Sequence, residues 1–299
     1  MLNSLEKRTD IVSKGEEGIM SDNKNSEEKT LEVKREKLAH LCFLKAVKLH
    51  KQKNYLEALT TYQQALQLNP LHIDAIFALC EILSIFDQHD CIREIMLLAS
   101  QNFPNDPEIS HILGDTLFKL LKYDEAIAWY EKAVEQKKKD APHCLIQKIL
   151  QISLMLSNNK RSIDYAERYI KEYSESPRVL AVCASALAEA EDIAQAHETF
   201  KKAIELGPEN GMIQQDYAKF LLQKVDFDEA IQVYTQLINE TPNNQTLLED
   251  VSKAYIKKDL LEEALPYQEK LHRLNPENIN NTGLLLYTYY ILNEETKAS

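Results

Sequence analysis

The sequence predicts an all-α protein built by repeating a unit of 34 residues, and three observations predict it. The 299 residues include only 6 glycines and 9 prolines, while Ala, Leu, Glu, Lys, Gln and Ile dominate, which is a helical composition. Prolines keep a period: Pro70 and Pro104 stand 34 residues apart, as do Pro208 and Pro242, then Pro242 and Pro276. Alanines keep the same one, with Ala196, Ala230 and Ala264 spaced by 34 and Ala58 to Ala126 by twice that. Both residue types also report one two-residue insertion, since Pro104 to Pro208 spans 104 and Ala126 to Ala196 spans 70. Self-similarity at such a period marks a repeat architecture.

Counted from residue 39, further repeats begin at 73, 107, 177, 211 and 245. Their eighth position is Ala46, Cys80, Gly114, Ala184, Ala218 and Ser252, small enough for two helices to approach closely. Position 20 supplies the matching contact on the second helix with Ala58, Ile92, Ala126, Ala196, Ala230 and Ala264. Position 24 is Tyr62, Met96, Tyr130, Phe200, Tyr234 and Gln268; the large side chains fill the space left by the small ones. Proline at position 32 ends the second helix in five of the six. A fourth, degenerate repeat occupies 141–176 and is expected to start near His143 to Ile146, with Ser153 as its small residue and Tyr169 as its large one. The polar run 136–142 takes the insertion.

The clearest stretches, NYLEALTTYQQALQLNP, KYDEAIAWYEKAVEQ, AQAHETFKKAIELGP and FDEAIQVYTQLINETP, resemble the tetratricopeptide repeat (TPR) family. The resemblance implies a right-handed α-solenoid, a superhelix of stacked antiparallel helix pairs with a concave inner groove, over residues 38–278. Two departures stand out: no tryptophan occurs near the start of any first helix, and Gln268 replaces the large residue of the last repeat.

The ends differ from the repeats. Residues 1–37 mix charges with Ser, Asn, Gly and Thr and are expected to form a disordered, charged tail, without structure over 1–25 and with Ser26 starting a helix that runs into the first repeat. Residues 279–299 match the first helix of an eighth repeat without its partner and are expected to cap the solenoid. Its segment GLLLYTYYILNEE is apolar on more than one face, so Leu284, Tyr287, Tyr290 and Ile291 are expected to stay exposed and to support a homodimer.

Charge and motifs exclude more than they select. With 47 Asp plus Glu against 35 Lys plus Arg, the net charge is −12, which disfavours nucleic acid. No apolar run reaches the length of a membrane span, and the N-terminal segment lacks the apolar core of a signal peptide. The five cysteines, Cys42, Cys80, Cys91, Cys144 and Cys183, contain no C-x-x-C pair and read as reduced residues of a cytoplasmic protein. No phosphate-binding glycine loop, zinc spacing or nucleophile elbow occurs, so no enzyme, metal or cofactor is expected.

The resemblance also places a groove stripe at positions 2, 5, 9 and 12 of each first helix. The first three repeats supply His40, Phe43, Val47 and His50; Asp74, Phe77, Glu81 and Ser84; and Glu108, His111, Asp115 and Phe118. These positions hold four carboxylates, three phenylalanines and three histidines, and no Lys or Arg. They suit a basic or amphipathic segment of a partner protein. Later repeats turn mildly basic and apolar, with Arg178, Ala181 and Ser185, then Met212, Gln215 and Lys219. The Lys and Asn with which some TPR proteins clamp acidic chaperone tails are replaced at positions 5 and 9 by Phe43/Val47, Phe77/Glu81 and His111/Asp115, so heat-shock chaperone tails are not expected partners. The expected function is a scaffold, adaptor or assembly chaperone. The alternative is a regulatory or substrate-recruiting TPR arm of a transferase-type system, without its catalytic domain.

Overall fold

The computed structural model describes residues 30–137, 142–156, 158–224 and 226–298, all of it helix and short turns with no strand among the described residues. Helix α1 runs over 30–51. It is followed by α2 (Tyr55–Leu68), α3 (Ile73–Ile85), α4 (His89–Asn102), α5 (Pro107–Lys119), α6 (Tyr123–Gln136), α7 (His143–Met155) and α8 (Asn159–Glu172). Then come α9 (Pro177–Glu189), α10 (Ile193–Leu206), α11 (Gly211–Lys224), α12 (Phe227–Glu240), α13 (Gln245–Lys257), α14 (Leu261–Leu274) and α15 (Ile279–Ala298). The chain divides into two compact units whose boundary, between Ala126 and Ile127, falls inside α6.

The repeat positions explain the pairing. Ala46, Ala184 and Ala218 on first helices and Ala58, Ala196 and Ala230 on second helices are fully buried, so each pair closes on methyl groups. Tyr62, Met96, Tyr130, Phe200 and Tyr234 are buried beside them and fill the gaps between pairs. In unit 1 this packing makes a core of Ala46, Ala58, Tyr62, Ala65, Ala75, Leu79 and Ile82. In unit 2 the pairs α7/α8, α9/α10, α11/α12 and α13/α14 stack in order, and α7 touches α9, α9 touches α11 and α11 touches α13. Those four helices are therefore one layer, the second helices another, and α15 packs on α14. Side chains cap several starts: the Asp106 carboxylate accepts from the backbone N–H of Glu108 at 2.8 Å, and that of Asp226 from the N–H of Asp228 at 2.7 Å.

Two segments depart from the sequence reading. Residues 30–37 of the expected tail are helical and continuous with α1, with Leu31 and Leu38 exposed; residues 1–29, with the expected helix start at Ser26, lie outside the described part. The fourth pair starts at His143, three residues before Ile146 and 34 before Pro177. In that register its large and small residues are exchanged: Ala166 occupies position 24 and Tyr169 position 27, both fully buried. The Tyr169 hydroxyl accepts from Arg168 at 2.8 Å, and Arg168 pairs with Glu131 at 2.9 Å. Most of the insertion lies at 138–141, outside the described residues.

Candidate functional site

In unit 1 the expected groove residues fall on α1, α3 and α5, the first helices of three successive repeats. His40, Asp74, Glu81 and Glu108 are exposed, while Phe43, His50, Phe77, His111, Asp115 and Phe118 are half-buried. Phe43 packs on the core, with its ring 4.7 Å from His72 and 6.0 Å from Tyr62. His40 stacks on His72 at 5.9 Å. His50 meets Tyr55 edge-on at 5.6 Å and Tyr62 at 6.3 Å. Three expected site residues thus converge on Tyr62 and on His72, the N-cap whose Nδ1 accepts from the Ala75 N–H. Burial raises the Tyr62 hydroxyl above its ordinary pKa and the nearby Glu81 carboxylate raises it further.

On α5 three of the four expected residues form a ladder one turn apart. His111 lies 3.9 Å from Glu108 and 3.4 Å from Asp115. Phe118 stands apart from them, its ring 5.6 Å from Tyr123 at the start of α6. The Phe43 and Phe118 rings therefore pack on their inner edges, and all three phenylalanines are half-buried.

Unit 2 holds a cavity of about 540 Å³ that the sequence reading left out. Its floor is the small-residue face of α9, Ala181, Val182, Ser185 and Ala186, between longer side chains of α7 (Cys144, Gln147, Gln151) and α11 (Met212, Ile213, Asp216). Arg178 stands at the N-terminal end of this trough and Glu189 at the other. Desolvation raises the Asp216 carboxyl above its ordinary pKa, and Lys219 pulls it partly back. Ala181 and Ser185, at positions 5 and 9 between bulkier repeats, were the sequence signal for a trough. His72 and Tyr55 were missed because they lie off the four groove positions.

The face of α15 is sorted clearly. Leu285 and Thr288 are buried against the solenoid, and Leu284 and Ile291 are half-buried. Tyr287 and Tyr290 are exposed, and so are Ile279 and Leu286. Among the described residues no group of three or more His, Cys, Asp or Glu is placed to hold a metal ion. None of the described helices is long and apolar enough to cross a membrane.

Comparison with known proteins bears on the fold. Tetratricopeptide repeat family models match residues 39–70 and 107–140, and another matches 187–250. No curated protein matches the chain. Among solved structures it is similar to a tetratricopeptide repeat protein from Parabacteroides merdae, with TM-score 0.56 and 12% identity over 84% of this chain and 98% of that one. Yeast Tom70 gives TM-score 0.56 and 16% identity over 89% of this chain and 56% of that one. The C-terminal part of a TPR repeat-containing protein from Cytophaga hutchinsonii gives 0.56 and 18% over 81% and 98%. Helix pairs that recur every 34 residues, buried at the positions that define the repeat and matched by its family models, make this chain a tetratricopeptide-repeat protein.

Proposed function

We propose that the protein is a non-catalytic scaffold, adaptor or assembly chaperone that holds a basic or amphipathic segment of a partner protein on α1, α3 and α5. TPR repeats serve protein–protein interaction in general; the charge and the ring chemistry make this reading specific. The observation that carries it is the exposure of Asp74, Glu81 and Glu108 beside the half-buried rings of Phe43 and Phe77. Carboxylates at the rim favour a basic segment, and the ring faces favour apolar or guanidinium side chains. Phe77→Ala/Glu81→Lys tests it without removing Phe43, which supports the core. The variant is expected to lose about tenfold in affinity for a basic segment captured by the wild type, about 1.4 kcal/mol. Binding to the wild type should also weaken with added salt. Unchanged affinity in the variant, measured by titration with the captured partner, overturns the reading.

A second surface is favoured by its own observation. The trough over Ala181 and Ser185 has the dimensions of a cavity and an apolar floor, which suits a bulky side chain of a bound segment. The exposed tyrosines of α15 are a third surface, read as a site of self-association.

A further inference from the structure

The trough of unit 2 carries a charge pattern that its apolar floor does not explain. Asp216 on α11 lines the trough and is exposed. The walls around it nevertheless desolvate its carboxyl and raise its pKa, and among the described residues only the charge of Lys219 opposes that shift. A carboxylate that a ligand can reach but that water solvates poorly is what a concave binding site offers a cation.

Lys219 does not serve Asp216 alone. It also acts on Asp250, one repeat further on, as do Lys253 and Glu249. Lys253 and Glu249 lie 3.5 Å apart and hold each other. Burial, and then the charges of Asp250 and Asp216, raise the hydroxyl of Tyr234, so both carboxylates stand near one fully buried ring. Asp216, Asp250 and Glu249 against Lys219 and Lys253 leave this side of the trough one cation short.

The rest of the trough fits one kind of cation. Its floor of Ala181, Val182 and Ala186 is apolar, and its α7 wall carries the amides of Gln147 and Gln151. A guanidinium is planar and weakly hydrated and has five N–H donors. It can pair with a carboxylate and donate to amide oxygens while its methylene stem lies on an apolar floor. A lysine ammonium is more strongly hydrated and gives up more on entering. Arg178 also lines the trough, but it is exposed and is not among the charges that act on Asp216.

We infer that the trough over α9 takes an arginine side chain of a bound partner segment, with its stem on Ala181, Val182 and Ala186 and its guanidinium on Asp216. The inference rests on the reading of the trough as a pocket for a bulky side chain, and it names that side chain.

Titration of the full-length chain with a blocked pentapeptide, arginine flanked by alanines, tests this. Isotope-labelled methionine methyl groups supply the signal, because Met212 lines the trough. The arginine peptide is expected to shift the Met212 methyl. A peptide with citrulline, which keeps the shape and removes the charge, should bind about tenfold more weakly. Lysine in its place should also bind more weakly, and free guanidinium ion, which lacks the stem, more weakly still. Asp216→Asn should bring the arginine peptide down to the affinity of the citrulline peptide and leave the latter unchanged. Ser185→Trp fills the trough and should abolish the Met212 response to every probe. Circular dichroism checks that both variants fold, and the citrulline comparison needs no variant. Arginine and citrulline peptides that bind equally, both blocked by Ser185→Trp, overturn the cation and leave the trough as an apolar pocket. A lysine peptide or free guanidinium ion that binds as tightly as the arginine peptide overturns the arginine side chain as the ligand. A Met212 signal that no peptide moves, or binding that survives Ser185→Trp, overturns the reading of the trough as well.

Discussion

Among the described residues, five that bear side chains hold a left-handed backbone: Lys53, Asp87, Leu121, Glu191 and Asp259, with φ between 54° and 70°. Each is residue 15 of its repeat, where the first helix turns back into the second. A left-handed conformation costs an L-residue roughly 1–2 kcal/mol, and a bulky Leu tolerates it less well than Asp. Leu121 is largely exposed, so nothing packs to offset that cost. Leu121→Gly is therefore expected to raise stability by about 0.5–1 kcal/mol, net of the entropy that glycine loses on folding. Asp87→Gly should gain less. Denaturant titration reads both, and a loss in Leu121→Gly would mean that the turn is not strained. Gln268 has the opposite problem: it is buried where five other repeats place Tyr, Phe or Met, and both ends of its amide lack a hydrogen-bond partner. Gln268→Met is nearly isosteric and removes two unsatisfied polar atoms, so a gain of about 1–3 kcal/mol is expected by thermal denaturation.

At the scale of one helix, the short turns leave backbone N–H groups at each start that side chains must satisfy. Asp106 does this for α5, accepting from the N–H groups of Glu108 and Ile109. Its carboxylate also meets the positive end of the helix dipole. Asp106→Ala is expected to cost about 1 kcal/mol, while Asp106→Asn keeps the cap and loses less. Hydrogen exchange of α5 amides would locate the loss, and an effect spread evenly through both units would contradict a cap. Pro107 at the next position reinforces the start, since its missing N–H is one the helix does not use. The expected helix running from Ser26 into the first repeat is described from residue 30, where Leu31, Val33 and Leu38 are exposed and cover no core.

At the scale of the whole chain, excess acid makes stability depend on pH, and one carboxyl has a defined sign. Asp250 is half-buried and its Oδ2 lacks a hydrogen-bond partner. Desolvation raises its pKa above 3.8, with Lys219 opposing the shift. The folded chain thus holds this proton to higher pH than the unfolded chain does. The resulting stability is fully present below pH 3.8 and is lost as pH rises through the folded value. Asp250→Asn should therefore raise stability at neutral pH by less than about 1 kcal/mol after solvent screening, read as a higher melting temperature, and the difference should close in acid. An advantage of Asn that persists undiminished near pH 3.8 would show that ionisation is not its cause. The buried cysteines behave in the same sense without a partner: burial alone pushes Cys80 and Cys183 up to about 12, which keeps both thiols protonated.

The sequence by itself determined the repeat, its period, the class of fold and the buried small and large positions. Those follow from volume: two helices can close at Ala46 and Ala58 only if both side chains are small, and Tyr62 can be buried only beside them. Tertiary structure decided what the groove residues do with their second face. Phe43 sits at a groove position, yet its inner edge packs on Tyr62 and His72, which depends on how α2 and the N-cap of α3 fold back on α1 and not on local spacing. It also decided which of Leu284, Tyr287, Tyr290 and Ile291 stay free. Helical spacing assigns residues to faces, but only the position of α14 settles that Leu284 and Ile291 lie at its margin while Tyr287 and Tyr290 point away. The trough over α9 arises the same way. Small side chains at positions 5 and 9 are visible in the sequence, but they make a cavity only because α7 and α11 stand taller on either side.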